Sequence, residues 1–258
     1  MNNTQFIDPN YVPQEHIVPY DILELPSQGI LYPNKKSSVK VEYLTAYDET
    51  ILTSPNLSAN GKFLDVLLKR KVKDLGFDPE DLLDGDRLSI LLWLRTTAYG
   101  ETYKQQVFDT NTLDIVEGEI DLTKLTQKKL MILPNEKNEF DYILPTSKKV
   151  VKFRFTTGKD ELDIERVDSE QMKRYNSEIS ERIILKLEKQ IMEIDGIRDK
   201  MKISTIIRNL PIIDSRSIRK YIKDNEPGID LNVVARTPGG GSVNTFLKFS
   251  SNFFWPEL

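Results

Sequence analysis

There is no cysteine in these 258 residues and only one histidine, His16. The first absence excludes disulfides and thiolate metal sites, and fits a reducing cytosol or a particle indifferent to redox state. The second leaves a Ser-His-Asp or Cys-His constellation with one possible base, and a zinc enzyme with too few nitrogen ligands. His16 lies between Pro13 and Pro19 in an extended stretch and reads as a surface residue rather than a catalyst. Asp and Glu number 40, so carboxylate-only chemistry stays open in principle, but none form a recognisable pair. No apolar run approaches the ~18 residues of a membrane span, and Met1–Gln5 lacks the basic-then-apolar pattern of a signal peptide. Nor does one sign of charge dominate. Against 36 Lys plus Arg the net charge is −4, which argues against a chain devoted to gripping nucleic acid. The expectation is a non-enzymatic chain, with no catalytic residue, no cofactor and no metal.

What is present begins with the stretch from Asp86 to Tyr103. Asp86 follows Gly85 and precedes an apolar run, so it is placed to cap a helix over 87–98. Leu88, Ile90, Leu91, Leu92, Trp93 and Leu94 leave that helix no polar face, which predicts burial on all sides. Arg87 and Arg95 flank the run, and Gly100 is placed to end it in the left-handed conformation.

Residues 1–33 carry Pro9, Pro13, Pro19, Pro26 and Pro33, a density that disfavours helix and central strand alike. An extended arm is predicted. It is also apolar, with Tyr11, Ile17, Leu25, Leu31 and Tyr32 among its members, so it needs a surface to lie on, either its own body or a neighbouring subunit. Phe253, Phe254 and Trp255 near the other end are residue types that dominate interface energetics. These eight are the candidate partner-interface residues.

Val39–Leu44 alternates at period two and reads as a strand, with a short helix starting at Thr45. Val39–Glu49 aligns without gaps to Val151–Glu161, and a Leu-Pro pair precedes both, Leu25-Pro26 with Ser27 and Leu144-Pro145 with Ser147. Either this is a structural repeat, or two strands each followed by an acidic helix start resemble one another by chance. Gly61–Leu75 has helical spacing, and its late Lys69, Arg70, Lys71 and Lys73 suit the helix dipole. Period two returns over 103–122, a hairpin turning at Thr110-Asn111. A long helix is expected from a cap at Asp168 to Gly196. Two short helices follow around Leu210-Pro211, the second capped at Asp214. Their Arg208, Arg216, Arg219, Lys220 and Lys223 resemble a helix-turn-helix, without identifiable recognition residues. A hairpin turning at Thr237–Ser242 closes the chain. Its glycines do not make a phosphate cradle, because no helix follows them.

The predicted fold class is α+β: a helical core with small antiparallel β-hairpins and an extended Pro-rich N-terminal arm. Its parts are an arm (1–33), a mixed core (34–166), a helical segment (167–226), and a C-terminal hairpin with aromatic tail (227–258).

In order and spacing, several of these stretches resemble the bacteriophage T4-type baseplate protein family, the hub and hub-assembly proteins of contractile-tailed phages. They are Leu25–Tyr32; Asp48-Glu49 with Leu52; Asp86–Arg95 with Tyr99, Gly100 and Tyr103; Leu144-Pro145 with Ser147; the helix into Ile194–Gly196; and Pro227–Leu231 through Phe253–Pro256. The resemblance covers nearly the whole chain after about residue 20. It implies a structural or assembly component of the virion tail baseplate, made in the host cytoplasm and docking to other baseplate, hub and tail proteins, with no membrane or nucleic-acid partner. The alternative is a small nucleic-acid-binding regulator using residues 199–224. Many members of that family carry a Cys-x-x-Cys pair in each of two hairpins, as a zinc knuckle needs. Asp109–Thr112 and Thr237–Gly240 stand at the matching positions here, so the turns around 110 and 239 are expected to lie near each other.

Overall fold

The alternation of Val39 and Val41 does make a strand, and it is the middle strand of a small sheet. In the computed structural model, which describes residues 18–54, 57, 63–176, 178–249 and 253, β2 (Ser38–Glu42) pairs antiparallel with β1 (Tyr20–Glu24). Helices α1 (Ala46–Leu52) and α2 (Phe63–Lys71) follow. Strand β3 (Val72–Lys73) then returns beside β2, with Val72 opposite Val41. A short 3-10 turn leads into α3 (Asp84–Tyr99), and α3 into the hairpin of β4 (Thr102–Asp109) and β5 (Asp114–Asp121).

The same order then runs again. After β6 (Gln127–Lys128), β7 (Phe140–Ile143) pairs antiparallel with β8 (Val150–Phe153). Helices α4 (Gly158–Tyr175) and α5 (Arg182–Gln190) follow, and β9 (Ile191–Ile194) returns beside β8. Helices α6 (Lys200–Arg208) and α7 (Ile212–Asn225) lead through β10 (Gly228–Ile229) to the hairpin of β11 (Asn232–Arg236) and β12 (Ser242–Phe246). The two three-stranded sheets have one topology, β1-β2-β3 and β7-β8-β9. The two hairpins merge into a four-stranded sheet, β12-β11-β5-β4, and β6 pairs with β10.

The repeat holds residue by residue. Thr45 and Thr157 open α1 and α4, each donating its backbone N–H to the carboxylate three residues on: Asp48 at 2.8 Å and Asp160 at 3.0 Å. This reciprocal capping stops an orphan donor at each helix start. Asp86 and Asp214 are each the third residue of their helix, and both are buried. From them the helices stay in register. Ile90 and Leu94 of α3, and Ile218 and Ile222 of α7, are all in the core, with Trp93 and Tyr221 packed against it. Of the two readings of the sequence echo, duplication is the one the fold shows.

The duplication also explains why α3 has no polar face. Leu91, Leu92 and Arg95 are buried, whereas the equivalent positions of α7 are Arg219, Lys220 and Lys223, half-buried or exposed. The first turn of α3 packs on the second repeat and Arg95 is enclosed by Gly100, Thr102 and Phe253, while Lys220 and Lys223 of α7 are exposed to solvent.

Several expectations are corrected. Helix α3 starts at Asp84 with Leu83 as its cap, so Asp86 is inside the helix. Gly100 ends it at φ 86° and ψ 175°, a positive-φ extended conformation rather than the left-handed helical one. The single helix expected from Asp168 onward is instead a helical hairpin plus a strand. Helix α4 stops where Asn176 turns left-handed, and Ile191 and Ile194 pair as β9 because β8 offers a ladder that helical spacing cannot use. Asp168 sits within α4 and accepts from the Ser180 hydroxyl at 2.6 Å and the Glu181 amide at 2.8 Å. It organises the start of α5, not of its own helix. The arm expected over 1–33 is also corrected over its second half. Tyr20–Glu24, free of proline between Pro19 and Pro26, is an edge strand, so residues 20–33 belong to the first repeat, and residues 1–17 lie outside the described residues.

The repeats meet where the first turn of α3 is wedged between two parts of the second. The Asp84 amide donates to the Thr156 carbonyl at 3.2 Å and the Gly158 amide to the Leu82 carbonyl at 3.0 Å. On the other side, Pro227-Gly228 lies so close that a Cβ on Gly85 would stand 1.8 Å from the Pro227 carbonyl oxygen. Only a residue without a side chain fits there. Gly85→Ala is expected to destabilise the protein by about 2–3 kcal/mol, the scale of overpacking a filled interior, as read by urea denaturation; Gly196→Ala, where nothing lies within 4 Å, tests strain from positive φ without the clash and should cost less.

Candidate functional site

Each repeat contains one buried carboxylate that grips the turn between its first two strands. Asp86 accepts the Ser27 amide at 2.9 Å, the Ser27 hydroxyl at 2.5 Å and the Tyr32 hydroxyl at 2.5 Å. Tyr32 in turn accepts the Leu83 amide at 2.9 Å, which satisfies the helix cap that lacks a capping side chain of its own. Asp214 accepts the Thr146 amide at 2.7 Å and the Ser147 amide at 2.9 Å. The Leu-Pro-Ser and Leu-Pro-Thr-Ser turns are thereby tied to helices 59 and 68 residues away in sequence. Asp214 was expected to cap its helix; the structure gives it this long-range task.

The two clamps differ electrostatically. Burial raises the Asp86 carboxyl, against the hydrogen bonds from Ser27 and Tyr32 that favour its ionised form. Burial and the Asp86 charge together push the Tyr32 hydroxyl far up. For Asp214 burial also opposes ionisation, but the donors of Thr146 and Ser147 prevail and hold it below its ordinary value of 3.8.

The basic cluster at the end of α2 is absorbed within the first repeat. Lys71 Nζ, almost completely buried, reaches Asp48 at 2.5 Å and the Tyr43 carbonyl at 2.8 Å, and Arg70 Nε reaches the same Asp48 at 2.6 Å. In the second repeat, Arg154 binds the equivalent Asp160 through two nitrogens at 2.7 and 2.8 Å. Most cations of residues 199–224 are similarly engaged. Arg208 binds Glu181 through both terminal nitrogens, Lys220 pairs with Asp224, Arg219 donates to the Ser215 carbonyl, and Lys223 lies over the Phe246 ring.

The seam between the repeats carries a third group of charges. Asp84 Oδ2 accepts the Thr156 hydroxyl at 2.6 Å and lies 3.8 Å from Lys186 Nζ, which Glu161 holds more closely at 2.5 Å. Glu226, at the end of α7, has a buried Oε1 with no hydrogen-bond partner. Burial, then the neighbouring acidic charge, pushes Asp84 up to about 6 and Glu226 up to about 7. Two open grooves meet at Glu226, one lined also by Asp84, Leu88, Lys128 and Phe246, the other by Ile183, Lys186 and Arg219. Sequence reading missed these groups because Asp84, Glu161, Lys186 and Glu226 are far apart in the chain.

The candidate interface residues fall in unlike places. Leu25, Tyr32 and Phe253 are buried in the core of this chain, and Leu31 packs against it. Phe253 packs edge-on to Tyr103 and Phe249, and its carbonyl accepts from Arg95 at 3.3 Å. Leu25, Tyr32 and Phe253 hold the fold together and present no free surface; an apolar residue next to prolines or near a chain end gives no sign of which it will do. Tyr11, Ile17, Phe254 and Trp255 lie outside the described residues. The hairpin turns do meet. Asn111 Nδ2 would stand 3.1 Å from a Cβ on Gly241, and β5 pairs with β11 through Ile120 opposite Ala235. Among the described residues no three His, Cys, Asp or Glu are grouped as a metal ion would need.

Apolar side chains that are exposed gather elsewhere. At the tip of the β4–β5 hairpin, Phe108 stands directly opposite Ile115, and both are more than half exposed. Leu113 between them is 75% exposed and sits at φ 59°, a conformation uncommon for a residue with a branched side chain. Tyr175 and Ile183 flank the α4–α5 elbow, also exposed. No family model, curated protein or solved structure matches this chain.

The Asp214 clamp has a defined acid response. A folded-state value held below the ordinary one contributes stability above pH 3.8 that is lost as pH falls through the depressed value. Asp214→Asn should therefore cost about 1–3 kcal/mol at pH 7, the scale of a charge-assisted hydrogen bond lost in a buried site, with the deficit shrinking as pH falls below 3.8. Thermal denaturation of the two proteins across pH 2–8 measures it. A deficit that does not change with pH contradicts an ionised clamp.

Proposed function

We propose that this chain is a non-enzymatic structural or assembly component of a contractile phage tail baseplate, in the hub region, acting by docking to other baseplate, hub and tail proteins. Two observations support the reading. The resemblance to T4-type baseplate proteins runs through residues that the fold uses as architecture: Leu25, Ser27 and Tyr32 with Asp86 in one repeat, Leu144 and Ser147 in the other. The observation that carries docking is the apolar hairpin tip of Phe108, Leu113 and Ile115, exposed on a hairpin whose β4 strand buries its other face.

With Leu25, Tyr32 and Phe253 buried in the core, the reading rests on this tip. Removing residues 250–258 deletes Phe253 from the core, so loss of assembly by that truncation says nothing about docking. The informative variant is Phe108→Ser with Leu113→Ser and Ile115→Ser. Surface changes of this kind cost little stability, within about 0.5 kcal/mol each, so the variant should fold with an unaltered melting temperature to within a few degrees. It is expected to fail to enter tails assembled in its presence. Incorporation at the wild-type level contradicts docking through this tip. Binding to DNA at low salt, weakened by neutralising Arg216, Arg219 and Lys220, would favour the nucleic-acid reading instead.

A further inference from the structure

We propose that the seam between the two repeats is a proton-operated latch, held shut when Asp84 and Glu226 carry protons and loosened when both are ionised. The geometry rests on four elements that converge there. Helix α3 brings Asp84 and Arg87, α4 brings Glu161, α5 brings Arg182 and Lys186, and the end of α7 brings Lys223, Asp224 and Glu226, with Lys128 on β6 beside them. Most of the cations have other work. Arg87 pairs with Asp65 through Nη2, its Nη1 being buried without a hydrogen-bond partner, Arg182 pairs with Glu161 and Glu165, and Lys220 neutralises Asp224. Lys128 donates to the Lys223 carbonyl at 2.7 Å, and Lys223 lies over Phe246. Lys186 is left between three carboxylates and is nearest to Glu161.

Glu226 is the moving part because of its position in the chain. It immediately precedes Pro227-Gly228, the segment whose carbonyl rests on Gly85. A charged Glu226 whose Oε1 lacks any donor is disfavoured where it stands. The grooves on either side of it offer water to a carboxylate that turns outward, and a turn outward draws Pro227 off Gly85. The shifts of both acids toward neutrality agree in sign. A carboxyl raised in the folded state adds stability that is complete below its ordinary value, 3.8 for Asp84 and 4.5 for Glu226, and that is lost as pH rises through about 6 to 7.

The test is hydrogen exchange of the full chain at pH 5.5 and pH 8, expressed as protection factors so that intrinsic exchange rates cancel. In the wild type, the amides of Gly228 and Ile229 and of the first turn of α3 are expected to lose about tenfold or more protection at pH 8. Amides of β7 and β8, away from the seam, should hold theirs. Glu226→Gln, which stays neutral at both pH values, should keep the seam protected at pH 8. Equal protection at both pH values in the wild type, or a Glu226→Gln variant that loosens as the wild type does, overturns the proposal. Should that variant not fold, titration of the Glu226 side-chain carboxyl by NMR in the wild type decides: a midpoint near 7 supports the latch, and one near 4.5 overturns it.

Discussion

The interaction on which the rest depends is a carboxylate inside a helix binding the amides of a turn that lies far away in sequence. Asp86 and Asp214 have no exposed surface, and a buried carboxylate is tolerable only when its lone pairs are filled. The donors come from turns that would otherwise expose unpaired N–H groups. Each clamp thus solves two problems at once: it fixes the position of a β-hairpin relative to a helix, and it allows both to be buried. Apolar packing then fills around that fixed frame, with Leu25, Val39, Val41 and Ile90 on one side and Leu144, Val151, Phe153 and Ile218 on the other.

Repetition of this unit accounts for features that look unrelated in the sequence. The all-apolar helix around Trp93 and the basic helix around Tyr221 are the same element in two environments. One buries Leu91, Leu92 and Arg95, the other has Lys220 and Lys223 exposed at the equivalent positions. The helix-turn-helix appearance of residues 199–224 comes from that difference in exposure, with most of its cations engaged by nearby acids, carbonyls and rings. A cluster of like charges on one helix is a poor guide to a partner when the other elements of the fold are unknown.

How much of this could be read in advance followed from the range of the forces involved. The strand at Val39, the helix start at Thr45 and both hairpins were legible, because alternation, caps and turns are set by residues within a few positions of each other. The echo between Val39–Glu49 and Val151–Glu161 pointed to the duplication, since the capping carboxylates Asp48 and Asp160 are themselves local. The break of the expected long helix was not legible. Asn176 is a modest stop signal, and Ile191–Ile194 fits helix or strand equally until β8 supplies hydrogen bonds. Asp86, Asp168 and Asp214 all looked like caps, for they have the right chemistry beside apolar runs. Their true partners are 12 to 68 residues distant, and nothing local distinguishes an aspartate that serves its own helix from one that serves another element. That Leu25, Tyr32 and Phe253 would be buried was not legible for the same reason: burial is a property of the assembled fold.

The central claim is that two helix-borne carboxylates hold the turns of two equivalent repeats. Amide hydrogen exchange at Ser27, Thr146 and Ser147 measures it most directly. None of these three residues lies in a helix or strand, so only the clamps protect their N–H groups. They are predicted to exchange as slowly as the core strands β2 and β8, through global unfolding alone. Exchange at the rate of an ordinary surface turn, with the strands still protected, would contradict the account.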